Sequence, residues 1–242
     1  MSVPPGWPLL DLHNHTDRSY DAVNTLADYE RAFGEGLFDV LAITDHNRID
    51  GAVEVAEQAS FPVIVGMELD TADGELIGLF LRDRIPTGLP ADETARRIRD
   101  QGGLVYLQHP FYLMVRHPLA GRVREGLASA GLVDIVEGLN GGPFTAAPDA
   151  RARAWAAAAE LPLGAGSDAH EPPVIGTCAV AIPPGPLDAP SVLARLGSGV
   201  LIDRHRSSTR QLVTKARYRG LAEIPKRLKG EPRRRRFPPS GA

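Results

Sequence analysis

The residues best placed to do chemistry in this chain are histidines with carboxylates beside them. His13 and His15 form a His-x-His pair, and Asp168 and His170 form an Asp-x-His pair. In extended chain the side chains alternate with period two, so both members of each pair point to one side and can share one cation. His46 and His109 follow short apolar runs, and Asp21, Glu68 and Glu75 add carboxylates at comparable places. Mixed nitrogen and oxygen donors of this kind suit Zn²⁺, Mn²⁺ or Fe²⁺ better than Mg²⁺ or Ca²⁺. The nine candidates, His13, His15, Asp21, His46, Glu68, Glu75, His109, Asp168 and His170, are too many for one ion. They fit two or three divalent ions sharing a carboxylate. Asp11 and Asp45 read as groups that orient the histidines. Asp45, with Asp168 and His170, is also a candidate for moving protons. His117 reads as a loop residue, His205 as solvated and Cys178 as a small buried side chain.

Residues this far apart must be gathered by a repeating frame. Short, nearly continuous apolar runs lie at 9–13, 39–44, 62–67, 75–81, 103–108, 133–139 and 162–167, the pattern of strands buried on both faces. Helical stretches are predicted between them at 25–35, 50–60, from Pro90 to before Gly102, at 146–160 and at 191–196. This alternation predicts a mostly parallel sheet with right-handed crossovers. Open and closed versions fit the pattern equally. In either, the C-terminal strand ends share one face, where these histidines fall.

Composition narrows the class. The chain has 242 residues, 43% of them hydrophobic, which fits one large domain. It shows no apolar run of transmembrane length and no signal-peptide pattern at Met1, so a cytoplasmic location is expected. One cysteine excludes an internal disulfide framework and a Cys-rich zinc site. The net charge of −3 hides an asymmetry: residues 204–242 carry 13 Lys and Arg against two acidic residues, and the rest is strongly acidic. The β/α rhythm stops after Asp203. The expected organisation is a domain over 1–203, a helical extension over 204–224 and a basic, disordered tail over 225–242.

The ordered set Asp11-Leu12-His13-Asn14-His15, Thr44-Asp45-His46, Gly66-Met67-Glu68, His109-Pro110 and Gly166-Ser167-Asp168-Ala169-His170 resembles the PHP (polymerase and histidinol phosphatase) superfamily over about residues 9–182. The resemblance implies a distorted seven-stranded (β/α)7 barrel and metal-dependent hydrolysis of phosphate esters. It also implies three ion positions: His13, His15, Glu68 and Asp168 at the first, Glu68 and His109 at the second, and Asp21, His46 and His170 at the third. Glu75 stands where many relatives place a second-ion histidine. A small stand-alone member is implied, with Glu137 and Asn140 after the sixth strand. The substrate expected first is a phosphomonoester of a nucleotide or other small metabolite, with Arg48 and Arg116 as phosphate contacts. The alternatives are an exonuclease on short oligonucleotides, drawn by the basic tail, and a non-catalytic metal-bound module. A chain ending at Ile224 should hydrolyse a small phosphate ester at near wild-type rate. An oligonucleotide activity should fall on that truncation, most at low salt, when rates are compared across ionic strength.

Overall fold

The computed structural model describes residues 3–113, 115–142 and 146–204. Its elements in chain order are β1 (Leu9–Asp11), α1 (Leu26–Gly34), β2 (Val40–Ile43), α2 (Asp50–Gln58), β3 (Val63–Asp70), β4 (Glu75–Leu79), α3 (Ala91–Asp100), β5 (Leu104–Leu107), α4 (Gly121–Ser129), β6 (Ile135–Asn140), α5 (Ala147–Ala158), β7 (Leu163–Gly166), β8 (Cys178–Ala181), α6 (Ala189–Leu196) and β9 (Val200–Asp203). The extension and tail expected over 204–242, and His205 with them, lie beyond Arg204 and so outside the described residues.

Local chemistry starts several helices. Thr25 caps α1 reciprocally with Asp28, and Asp188 caps α6 by accepting from the Ser191 N–H at 2.9 Å. In α3 the acidic Asp92 and Glu93 sit in the first turn and Arg97 and Arg99 in the last, which suits the helix dipole. Strand β2 shows why the apolar runs are continuous. Val40 and Ala42 join one core with Ile77, Leu79, Tyr106 and Ile135, while Leu41 and Ile43 pack with Tyr29 of α1 and Val55 of α2.

The sheet runs β7-β6-β5-β4-β3-β2-β1-β8-β9. Residues continuing β1 bond to β7 and the turn after it: the Leu12 N–H donates to the Ala165 carbonyl at 3.0 Å, and the Asp168 N–H to the His13 carbonyl at 2.8 Å. The sheet thereby curls into a nearly closed barrel. All seven expected strands are present, but the described residues hold nine strands, not seven. Strand β8 pairs antiparallel with the first half of β1, and β9 with β8. Both are only four residues long, flank α6 and are absent from the seven apolar runs above. Nor are the seven all parallel, because β4 is antiparallel to both β3 and β5. Only residues 71–74 separate β3 from β4, far short of the dozen or so a parallel crossover needs. Helix α4 has no sequence counterpart above; it opens on a glycine, has no side-chain cap and buries only Leu127. Among the described residues no helix is long and apolar enough to cross a membrane.

Asp11 is the buried clasp of the barrel seam. It accepts from the Ser167 N–H (2.8 Å) and hydroxyl (2.5 Å) and from the Gly176 N–H (3.1 Å). Burial raises its carboxyl to about 6, against the pull of those Ser167 donors. Its partners Ser167 and Gly176 lie on the segment between β7 and β8, so it holds strands rather than orienting rings. Asp11→Ala leaves the buried Ser167 and Gly176 N–H groups short of an acceptor, while the Ser167 hydroxyl keeps the Cys178 carbonyl at 3.3 Å, and urea denaturation should show a loss of about 2–5 kcal/mol.

Candidate metal centre

Strand ends deliver every candidate group but Asp21, which lies in the loop between β1 and α1. His13 and His15 follow β1, His46 follows β2, His109 follows β5, and Asp168 and His170 follow β7. Glu68 lies near the end of β3. Because β4 runs the opposite way, its first residue, Glu75, reaches the same end of the barrel, opposite Asp70. Antiparallel pairing here is therefore what places Glu75 with the others.

Four atoms converge most closely. His13 Nε2 is 3.1 Å from His15 Nε2, 3.3 Å from Glu68 Oε2 and 3.5 Å from Asp168 Oδ1. His15 Nε2 is 3.3 Å from Glu68 Oε2 and 3.4 Å from Asp168 Oδ1. Donor atoms on a tetrahedron with bonds of about 2.0–2.1 Å lie about 3.3–3.4 Å apart, so these five separations suit one small divalent cation. Around this group, Glu68 Oε1 is 3.3 Å from His109 Nε2, and Glu68 Oε2 is 3.3 Å from His46 Nδ1. Asp21 faces His46 Nε2 at 3.6 Å and His170 Nε2 at 3.5 Å. Glu75 groups with His46 and Glu68 rather than standing apart. Its Oε1 and the Gln108 Oε1 are buried without a hydrogen-bond partner. Unpartnered buried oxygens among imidazoles are donors that a cation would satisfy.

The electrostatics point the same way. Burial pulls the His13 imidazole down, but Asp168, Glu68 and Glu137 outweigh it and hold it well above its usual value. Burial is likewise outweighed at His170, which Asp21 and Asp168 raise to about 10. Glu68 is held well below the carboxylate range, because His46 and His13 overcome its burial. Glu75 goes up to about 8, through burial and then the neighbouring Glu68 charge. His109 (φ 28°) and Asp168 (φ 49°) both occupy the left-handed region, so two of the converging groups carry backbone strain that their surroundings must hold.

Asp45 is placed outside the converging set. Its oxygens accept from the Thr16 N–H (2.7 Å), the Thr16 hydroxyl (2.6 Å) and the Ser19 hydroxyl (2.7 Å), and it is fully buried. Gly51 leaves room for it, since a Cβ there would lie 2.1 Å from Asp45 Oδ2. A proton-moving role does not fit that enclosure. Asp45 instead holds Ser19, whose Oγ meets His15 Nδ1 at 3.3 Å and accepts from the His46 N–H at 3.1 Å. Arg48 is engaged by Asp50 at 2.5 and 2.9 Å. Arg116 is half-exposed, 3.4 Å from Asp70, with its guanidinium 5.0 Å from the Tyr20 ring centre. Tyr20 in turn stacks on His46 at 4.9 Å. His117 contributes its backbone carbonyl to the Glu75 N–H, and Cys178 is buried and unpaired. Ser19, Tyr20 and Gln108 escaped sequence reasoning, since a lone hydroxyl, ring or amide in a loop carries no periodic signal. Glu137 had one: it interrupts an apolar strand.

Residues 11–117 match the PHP domain family and residues 148–201 the PHP-associated family. The chain is 38% identical over 114 residues to an uncharacterized protein of Methanocaldococcus jannaschii, covering 42% of this chain and 67% of that one. It spans about two thirds of the length of its curated relatives. Its fold is similar to a two-domain protein from Bacteroides vulgatus containing a predicted PHP-like metal-dependent phosphoesterase, with TM-score 0.65, 19% identity and coverage of 84% and 68% of the two chains. It is also similar to an endonuclease Q solved with a 27-mer duplex substrate carrying an abasic lesion, with TM-score 0.60, 13% identity and coverage of 81% and 58%. At these identities both likenesses speak to the fold.

A cation must displace protons from His13 and His170 to use their nitrogens. Metal uptake near pH 7 should therefore release protons and tighten as pH rises, by about tenfold per unit for each proton released. Titration calorimetry in buffers of differing ionisation enthalpy reads this directly; a buffer-independent heat would refute it.

Proposed function

The chain belongs to the PHP domain family of metal-dependent phosphoesterases, and from that premise we propose that it hydrolyses a phosphomonoester of a nucleotide or other small metabolite. The observation that carries the reading is the convergence of His13 Nε2, His15 Nε2, Glu68 Oε2 and Asp168 Oδ1, with each imidazole nitrogen 3.1–3.5 Å from the other and from both carboxylate oxygens. We assign these four to the first ion, Glu68 with His109 and Glu75 to the second, and Asp21, His46 and His170 to the third. Two or three ions of Mn, Fe or Zn fit that donor set. When bound, such ions lower the pKa of a water and offset charge on the phosphoryl oxygens.

The chain's own residues then divide the remaining work. Glu68, whose two oxygens face His13 and His15 on one side and His109 on the other, would be shared between the first two positions. With two ions bound and the third position empty, His170, at the part-exposed edge with Asp21, is the group we assign to proton transfer. Asp45 positions His15 through Ser19. Arg116, held over Tyr20 beside His46, is better placed than the engaged Arg48 to meet a substrate phosphate. We take residues 1–203 as the hydrolytic domain of a cytoplasmic enzyme. The 13 Lys and Arg beyond Asp203 favour a second reading, a nuclease acting on short oligonucleotides, and an endonuclease Q shares the fold.

With Mn²⁺, a panel of nucleoside monophosphates, other small phosphomonoesters and short RNA should show fastest turnover on a monophosphate. Faster cleavage of RNA would select the second reading, and no turnover on any member would leave a metal-bound module. Glu68→Gln should abolish turnover and lower metal content in the same preparation.

A further inference from the structure

One carboxylate outside the ligand set reaches two of its members at once. Glu137, in the middle of β6, is buried, and both of its oxygens are engaged. Oε1 lies 3.2 Å from His13 Nδ1 and accepts from the Tyr106 hydroxyl at 3.0 Å. Oε2 accepts from the His109 N–H at 2.7 Å and from Asn140 Nδ2 at 2.7 Å. We propose that Glu137 is the positioning residue that sets the His13 ring and the His109 backbone together, and so couples the first two ion positions. The proposal rests on the reading of His13 and His109 as metal ligands.

The argument is one of tautomer and strain. A carboxylate at Nδ1 makes that nitrogen the donor, which leaves the Nε2 lone pair free, and Nε2 is the atom that meets His15, Glu68 and Asp168. The other oxygen grips the peptide N–H of a residue held at φ 28°, a conformation a histidine does not keep unaided. Asn140 and Tyr106 brace the carboxylate from either side, so it cannot swing from one task to the other. The neighbouring strand is cut to fit: a Cβ on Gly166 would lie 2.2 Å from the His13 Cβ and 2.7 Å from Glu137 Oε1. Among the described residues, by contrast, the Glu137 side chain belongs to none of the groups of three that could hold an ion. It acts through the ligands.

Glu137→Gln separates this role from bulk. The amide keeps the size but has one acceptor oxygen, so either His13 must turn its lone pair inward and lose Nε2 as a donor, or the His109 N–H loses its acceptor. The full chain carrying Glu137→Gln should fold, by circular dichroism, and bind Mn²⁺ at least about tenfold more weakly in chelator competition. Its Co²⁺ absorption spectrum should also differ from that of the wild type. Equal Mn²⁺ affinity with an unchanged Co²⁺ spectrum would overturn the proposal. If the wild type itself took up no Mn²⁺ or Co²⁺, the reading of the metal centre beneath it would fail instead. Should Glu137→Gln not fold, Tyr106→Phe removes one brace without touching a ligand. A several-fold loss of Co²⁺ affinity with a shifted spectrum then supports the proposal, and wild-type values for both overturn it.

Discussion

One carboxylate faces four imidazoles, and the rest of the site is arranged around that contact. Glu68 Oε2 is 3.3 Å from nitrogens of His13, His15 and His46, and Oε1 is 3.3 Å from His109 and accepts from Gln108 at 3.1 Å. The histidines come from the ends of β1, β2 and β5, so the contact exists only if the barrel curls. Nitrogens this close repel unless a proton or a cation lies among them. The raised imidazoles of His13 and His109 and the depressed carboxyl of Glu68 are what that crowding looks like when protons do the balancing. A divalent ion balances the same atoms with more charge at one point.

Holding such a set against its own repulsion takes a second layer of bonds. Asp11 ties the seam through Ser167 and Gly176, Asp45 fixes Ser19 under His15 and His46, and Glu137 spans His13 and His109. Asn47 and Asp70 clasp each other through two hydrogen bonds of 2.9 and 2.8 Å, which pins the loop after His46 to the end of β3. Asp11, Asp45 and Glu137 have both oxygens partnered in a region where an unpartnered acid would be costly. The strain at His109 and Asp168 sits where this layer is densest, as expected where geometry is imposed rather than relaxed.

The reversed strand β4 has a chemical consequence. A parallel β4 would present Glu75 at the far end of the barrel. Run antiparallel, it brings a second buried carboxylate beside Glu68, and each raises the cost of charging the other. A cation offsets that repulsion, so the reversal of β4 between β3 and β5 adds to the demand for metal.

Seven barrel strands, most helices and the identity of the converging residues are legible from the amino-acid order alone. Each of those is written locally: apolar runs between turn residues, caps such as Thr25, and His-x-His or Asp-x-His pairs whose period-two spacing fixes a shared side. Tertiary structure decided what depends on partners distant in the chain. It turned β4 around, added β8 and β9 beside β1, and set α4 on a sequence with little helical signature. It also separated the carboxylates into those that face the cation position and those that serve behind it. Asp45 and Glu68 look alike in sequence, each beside a strand-end motif, yet one is closed in by Thr16, Ser19 and Gly51 and the other lies open to four histidines. Glu137 likewise gains its meaning only when His13, 124 residues away, arrives across the barrel at 3.2 Å. A residue's type and spacing state what it can bind; only the closed sheet states what is near enough to be bound.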